Sequence, residues 1–519
     1  LVIFAVVEMA RGWRPLFDNA EISLRSYQVF SLHSPLVGHE VALPGATQPV
    51  FSPGPLENWL LAVPVRLDPG QGALWGAVVV AVGGVALAIE AGWSTARWWG
   101  AVVVTASILT AFAVRGDLDT VVVWNAWLAV IFLYTTLASA WATAAGHLRW
   151  WPVSVLAASV VAQCQEVFAW PAILVCLASL GMGVVVCGRR DGRVRLGPLV
   201  AGASVAVVVW VAPVIQQFTH HPGNFTLLWR AAHQPGATLG LSQALRALGS
   251  GISVPPSWVH APPLQGGAAG FYYVVLTFAG PLWWAAVALG LLAVVAIGAA
   301  VARRTGLVAA AMIAFVAAVG TVASIATVPQ SQFLNLTYLG TILIPVGTAV
   351  WSVLAWALFE CADNVVRRRV GGVSSTTAVP GRTRRAPGLV PLCAIALVAV
   401  PFAWSMATGI ALIGTDVPTI SGWAAVQSTD RAVADVARLA PHHRPVRLQL
   451  DGHSTFLIYG ILTGTAYLLD SEGFDIRLTA GAARPVFGDP SPGMPLILIR
   501  IPQDDVADPT ATVPVGTGP

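Results

Sequence analysis

The chain has 519 residues, of which 56% are hydrophobic and only 10% charged, with a mean hydropathy of +0.73. Soluble domains carry about 25% charged residues, so a cytosolic enzyme, a nucleic-acid binder and a disordered scaffold are excluded and an integral membrane protein is left. The net charge of +4 comes from Arg alone, and half of the Arg residues fall in loops on one side, which is orientation charge and not a nucleic-acid patch.

In chain order, Leu1 to Val7 reads as the end of a spanning helix whose start is missing. A span needs about 20 mostly apolar residues. Ten further candidates follow at 72–90, 98–114, 121–143, 151–166, 169–187, 197–216, 274–301, 306–328, 337–360 and 389–413. With the first they make about eleven. Arg189, Arg190, Arg193 and Arg195 crowd one connection, Arg303 and Arg304 another, and Arg367 to Arg369 with Arg382, Arg384 and Arg385 a third. Alternating topology puts all three on one side, which the positive-inside rule makes cytoplasmic. The opposite side then receives residues 8–71, residues 217–273 and the tail. The connection 362–388, rich in Gly, Ser, Thr, Pro and Arg over its later part, reads as a flexible cytoplasmic loop.

The expected fold class is mainly α, a polytopic transmembrane helix bundle over 1–413, followed by a small extracytoplasmic α/β domain over 414–519. In that tail, 424–440 and Ser454–Asp470 read as helices, and Val446–Leu450, Phe474–Leu478 and Leu496–Ile501 as strands. The last ten or so residues read as frayed. The five Cys residues lie in apolar stretches, with neither metal-ligand spacing nor a disulfide framework.

The first outer loop is the richest in chemistry. Asp18 and Glu21 follow the first helix closely. They fit a base facing a substrate at the membrane surface, and they also fit a helix N-cap with its N3 acid. Arg25 and His33 share the loop; a lone His there, like His39, also has an ordinary loop reading. Phe51-Ser-Pro-Gly-Pro-Leu56 makes a turn into an amphipathic helix over Leu56–Leu67, with Trp59 as interface anchor.

Further along, Arg115 and Asp119 precede Trp124-Asn125-Ala-Trp127, where an Asn between two Trp suits a sugar or headgroup and Asp119 also suits an N-cap. Gln163, Gln165 and Glu166 close another helix on the outer side, lining a cavity or merely ending it. Gln216, Gln217, His220, His221, Asn224 and Arg230 open the third outer piece. Arg230 there suits a phosphate, while the His pair lacks the carboxylates that a zinc site would add. Phosphate-binding Gly-rich loops, His-Glu-x-x-His and Gly-x-Ser-x-Gly are absent from the sequence, and ionisable residues are sparse within the spans.

Taken in order, these features resemble the GT-C superfamily of membrane glycosyltransferases, and look closest to its actinobacterial members. The resemblance rests on Asp18 after the first helix, Pro53 to Leu56, Trp124 to Trp127, Gln216 with Gln217, Gly223 with Asn224, and a soluble unit after the last helix. The chain departs from relatives in having Ser52 where a His often precedes the Pro-Gly-Pro, Ala126 where a Pro is common, and Gln163-Cys164-Gln165 for Gln-Thr-His.

The resemblance implies transfer of a sugar from a polyprenyl-phosphate donor to a hydroxyl of a cell-envelope glycan or lipid on the outer side, with inversion. Asp18 is then the base, with Glu21 as its paired acid. Arg25, Arg115 and Arg230 face the phosphate, and His33, Asp119, Trp124, Asn125, Gln165, Glu166, Gln217, His220 and Asn224 line the substrate path. No cofactor is implied; a divalent metal is compatible but has no ligand set in its favour. Two other classes fit the same composition: a lipid-linked glycan flippase, and a non-catalytic membrane partner in envelope assembly.

Overall fold

The computed structural model describes residues 1–41, 48–115, 123–233, 236–260, 278, 280–330, 339–371, 403, 423–439, 445–450, 456–478, 496–499 and 515–517. Helix α1 (Val2–Ala10) leads into α2 (Asp18–Gln28), a two-stranded ribbon of β1 (Glu40–Val41) and β2 (Val50–Phe51), and α3 (Leu56–Leu67). The bundle continues with α4 (Gly72–Arg115), α5 (Asn125–Ala144), α6 (Trp151–Cys164), α7 (Ala169–Asp191) and α8 (Leu196–Thr219). The short α9 (Asn224–Ala232) and α10 (Gly240–Ile252) precede α11 (Leu282–Val301), α12 (Thr305–Ala326) and α13 (Leu343–Gly371).

Among the described residues, seven helical segments are long and apolar enough to cross a membrane, and the protein is a multi-pass membrane protein. The expected spans 72–90 and 98–114 are two helices within α4, separated by a kink where Ala96 and Arg97 leave helical dihedrals (φ −131° and +56°). The expected span 151–166 is corrected to the 14 residues of α6, because Gln165 turns extended. Of the expected span 274–301, the described helix is Leu282–Val301, after Pro281, and 274–277 lie outside the described residues. The expected loop at 362–388 starts inside α13, which runs on to Gly371. The span 389–413 lies outside the described residues apart from position 403.

Helix α5 is the centre of the bundle, and every residue in it is buried. Its small and hydroxylated side chains let neighbouring backbones come close. Thr136, Ser139 and Thr143 each donate to the carbonyl four residues back, which hides their hydroxyls within the helix. Thr135 reaches Gly84 O of α4 at 3.0 Å, and Tyr134 Oη lies 2.8 Å from Thr348 Oγ1 of α13. By contrast, only 22% of the apolar stretch of α8 is buried, as befits a helix at the rim.

Beyond α13, helix α14 (Trp423–Leu439), strand β3 (Val446–Leu450), helix α15 (Phe456–Ser471), β4 (Ile476–Leu478), β5 (Leu496–Ile499) and β6 (Val515–Thr517) alternate. The sheet order is β4-β3-β5-β6, with β3 parallel to both β4 and β5 and β6 antiparallel to β5. The end expected to fray therefore contributes a strand: Val515 pairs with Ile499 and Thr517 with Ile497.

Side-chain contacts sort the loops into two ends. Asn125 at the start of α5 bonds to the carbonyl of Cys164 at the end of α6, Gln163 bonds to Leu56, and Asn224 after α8 bonds to Phe51. At the other end Arg149 bonds to Ser94, and Trp141 to Gly306 beside Arg304. Arg149 and the Arg303–Arg304 connection thus lie at the end opposite the Asp18 loop.

Candidate active site

The segment before α2 sets the site. Leu16 is 1% exposed and Phe17 is buried with φ +52°, a region costly for a bulky residue, of order 1–3 kcal/mol. Helix α2 therefore starts abruptly at Asp18. The N-cap place belongs to Phe17, whose side chain makes no capping bond, so the expectation of Asp18 as cap with Glu21 as its N3 acid is corrected. Asp18 is the first helical residue, where the helix dipole favours a carboxylate.

Asp18 is accessible to solvent, yet burial raises its pKa to about 6. The nearby charge of Glu21 adds to that rise, and a hydrogen bond from the Trp124 side chain opposes it. Desolvation of an accessible carboxylate means that protein atoms crowd around it.

Glu21 is not free in the same way. Its Oε1 accepts from Arg25 Nε at 2.9 Å and from the Glu40 amide at 2.8 Å, and both partners of the ion pair are 8% exposed. The Arg25 guanidinium also lies 4.7 Å from the centre of the Phe51 ring. Arg25 is thus matched inside the protein, where it joins α2 to the ribbon. Glu40 has its pKa raised to about 7 by burial and by Glu21, with Arg25 opposing. Its Oε2 has no hydrogen-bond partner among the described residues.

The Pro-Gly-Pro turn is held from the bundle. Gln163 Oε1 accepts the Leu56 amide at 3.1 Å, while its Nε2 donates to Val209 O at 2.8 Å. A side chain at Gly54 would collide with that carboxamide, so the close approach requires glycine there. Next along α3, Glu57 is 4% exposed with Oε1 unpartnered among the described residues. Burial, then the charge of Asp18, pushes its pKa up to about 8. Asn58 Nδ2 bonds to Ile22 O at 3.3 Å and so fixes α3 on α2.

His39 stands where the departure at Ser52 had left a question. Asn125 Nδ2 donates to Cys164 O at 2.8 Å and approaches His39 Nε2 at 3.2 Å. With that amide the donor, Nε2 accepts, and His39 Nδ1 carries the proton toward Ser52 Oγ at 3.2 Å. Burial, reinforced by Arg25, lowers the His39 pKa to about 4, so the ring is neutral.

Asn224 completes the frame. Its Oδ1 accepts the Phe51 amide at 3.0 Å and its Nδ2 donates to Phe51 O at 2.8 Å. Gln216 Oε1 accepts the Asn224 amide at 2.8 Å, and Gln217 holds Thr226 through both ends of its carboxamide.

Of the residues singled out from the sequence, Asp18, Glu21, Arg25, Trp124, Asn125 and Asn224 come together. Gln165 is buried beside Cys164, and Glu166 opens the turn into α7, half-buried. Gln217 braces α9. His33, His220 and Arg230 are exposed; the His33 amide bonds to Ser31 Oγ and the His220 ring to Thr219. The Arg115 side chain and Asp119 lie outside the described residues. Glu40 and Glu57 were missed. The signal available was an acid beside each turn, but nothing local to it indicates burial.

No family model matches the sequence, and no curated protein matches it. Two solved structures align along most of its length. One is a crystal structure of ArnT from Cupriavidus metallidurans in the apo state, 15% identical over 98% of this chain and 93% of that one, TM-score 0.46. The other is ArnT from the same organism bound to undecaprenyl phosphate, 16% identical over 98% and 95%, TM-score 0.43. Similarity at this level leaves the chemistry to be argued from the residues themselves.

Proposed function

We propose that the protein is a membrane glycosyltransferase that moves a sugar from a polyprenyl-phosphate donor to an acceptor hydroxyl, with Asp18 as general base. The observation that carries this reading is Asp18 itself: an accessible carboxylate at the start of α2, with its pKa raised to about 6, beside Glu21, Glu57 and the Trp124 side chain. A base with a pKa just below the working pH is ionised and still basic enough to take a proton. The resemblance in residue order to GT-C enzymes supports the same assignment.

In the proposed reaction Asp18 takes the acceptor proton as its oxygen attacks the anomeric carbon. The bond from that carbon to the phosphate oxygen breaks, and polyprenyl phosphate leaves. Glu21, being paired, orients Arg25 and β1 instead of acting as a second base. Trp124 and Asn125 line the sugar side, with Gln165 and Glu166 beneath. Arg230, on a helix tied to the site through Asn224, and Arg115 are the proposed phosphate partners. By the positive-inside rule the Arg-rich end is assigned to the cytoplasm, and the Asp18 end with the C-terminal unit to the outside.

The test is transfer from labelled polyprenyl-phosphate sugars to envelope acceptors in membranes holding the wild type or Asp18→Asn at equal levels. Label moved by wild type and not by the variant supports the reading. Equal transfer by both removes Asp18 as base. Donor never consumed, but carried across sealed vesicles, moves the assignment to a lipid-linked glycan flippase.

A further inference from the structure

Helix α15 crosses the loop that carries Asp18 and touches it at its beginning, its middle and its end. At the beginning, a Cβ built on Gly464 would stand 2.7 Å from Leu16 Cδ2 and 2.8 Å from the Pro15 carbonyl oxygen, closer than real side chains approach. In the middle, Tyr27 Oη at the end of α2 reaches Ser471 O at 3.4 Å. At the end, Tyr467, fully buried, donates to Pro69 O at 2.9 Å. Helix α14 adds an ion pair, Asp430 to Arg14 Nε at 3.0 Å. Pro15 and Leu16 directly precede Phe17, the residue whose positive φ starts α2 at Asp18.

We propose that the C-terminal unit is the positioning element for Asp18, with Gly464 as the positioning residue that lets α15 press on Pro15–Leu16 and hold the Phe17 bend. This rests on the transferase reading only in naming the consequence for activity. The seat itself is a matter of contacts. It assigns the unit a mechanical part in the site and asks no ligand of it.

The test is hydrogen exchange on the full-length protein in detergent, comparing wild type with Gly464→Val. The amides of Asn19, Ala20 and Glu21 bond to Leu16 O and Phe17 O and report the bend directly. The expected result is faster exchange at these amides, about tenfold or more, while α15 and the bundle keep their protection. Transfer should fall about 10- to 100-fold, as for an ångström-scale misplacement. Its acid limb should move below pH 6, because Asp18 loses its shielded place.

Unchanged exchange at residues 19–21 beside an intact α15 overturns the proposal. Should Gly464→Val fail to fold, Tyr467→Phe combined with Asp430→Ala loosens the same seat without adding volume, and the same amides decide. Faster exchange at these amides in Gly464→Val, beside a wild type that transfers no sugar, keeps the proposal and sinks the transferase reading. Normal transfer by Gly464→Val with unaltered exchange does the reverse.

Discussion

Asn224 grips Phe51 through both ends of its carboxamide, accepting from the amide and donating to the carbonyl across 173 residues of sequence. It takes the place of a third strand beside β2, which among the described residues pairs with β1 alone. Replacing it by Ala leaves two backbone groups of a half-buried residue without partners. The expected loss is about 1–3 kcal/mol, read as a lower unfolding temperature in detergent. Asn224→Asp keeps the acceptor and should recover part of it.

The hydrogen bond from Trp124 lowers the Asp18 pKa against the upward push of burial. Trp124→Phe keeps the ring and removes the donor. Asp18 then holds its proton to higher pH. Because the base acts ionised, transfer in wild type should rise through about pH 6 and in the variant through a higher pH. A pH–rate profile of both decides it, and a limb moved downward would contradict the assignment.

Glu57 and Glu40 make stability depend on pH. Both are held above the ordinary carboxylate range, at about 8 and about 7. The folded state thus binds these protons more tightly than the unfolded one. Their stabilisation is fully present below the unfolded pKa near 4.5 and is lost as pH rises through 7 to 8. Thermal stability should fall from pH 5 to pH 8.5, and Glu57→Gln should flatten part of that fall.

The Glu21–Arg25 pair is buried on both sides. Arg25→Ala leaves a buried carboxylate unmatched, and a cost of about 3–5 kcal/mol is expected. Glu21→Gln combined with Arg25→Met, which removes both charges, should restore most of it. A double variant as unstable as Arg25→Ala would mean that the stack on Phe51, not the charge pairing, holds the ribbon.

The legible parts of the fold were those written in a single stretch of chain. Val446–Leu450 is apolar at alternate positions and is a strand with the expected bounds. The uninterrupted apolar stretches of α7, α8 and α12 could be read for the same reason. Asp18 was legible as chemistry but not as geometry, because an acid before a helix reads as a cap and the bend at Phe17 is imposed by packing. Glu57 and His39 were obscured by their surroundings in sequence. Their behaviour is set by burial under α5, α6 and β2, which no local pattern encodes. The seat of α15 on Pro15 joins residues more than 400 positions apart through a missing side chain, and an absent Cβ leaves no composition to read.

Helix α6 has 14 residues, so its length is about 21 Å, some 9 Å short of a hydrocarbon layer of about 30 Å. It begins at Trp151, with Trp150 as its N-cap, and it ends at Cys164, whose carbonyl anchors Asn125. The end of α6 that anchors Asn125 therefore stops short of the level a full-length span reaches. If the chain is the transferase proposed above, a chain-anchored phosphate would need less lifting out of the leaflet to reach that level.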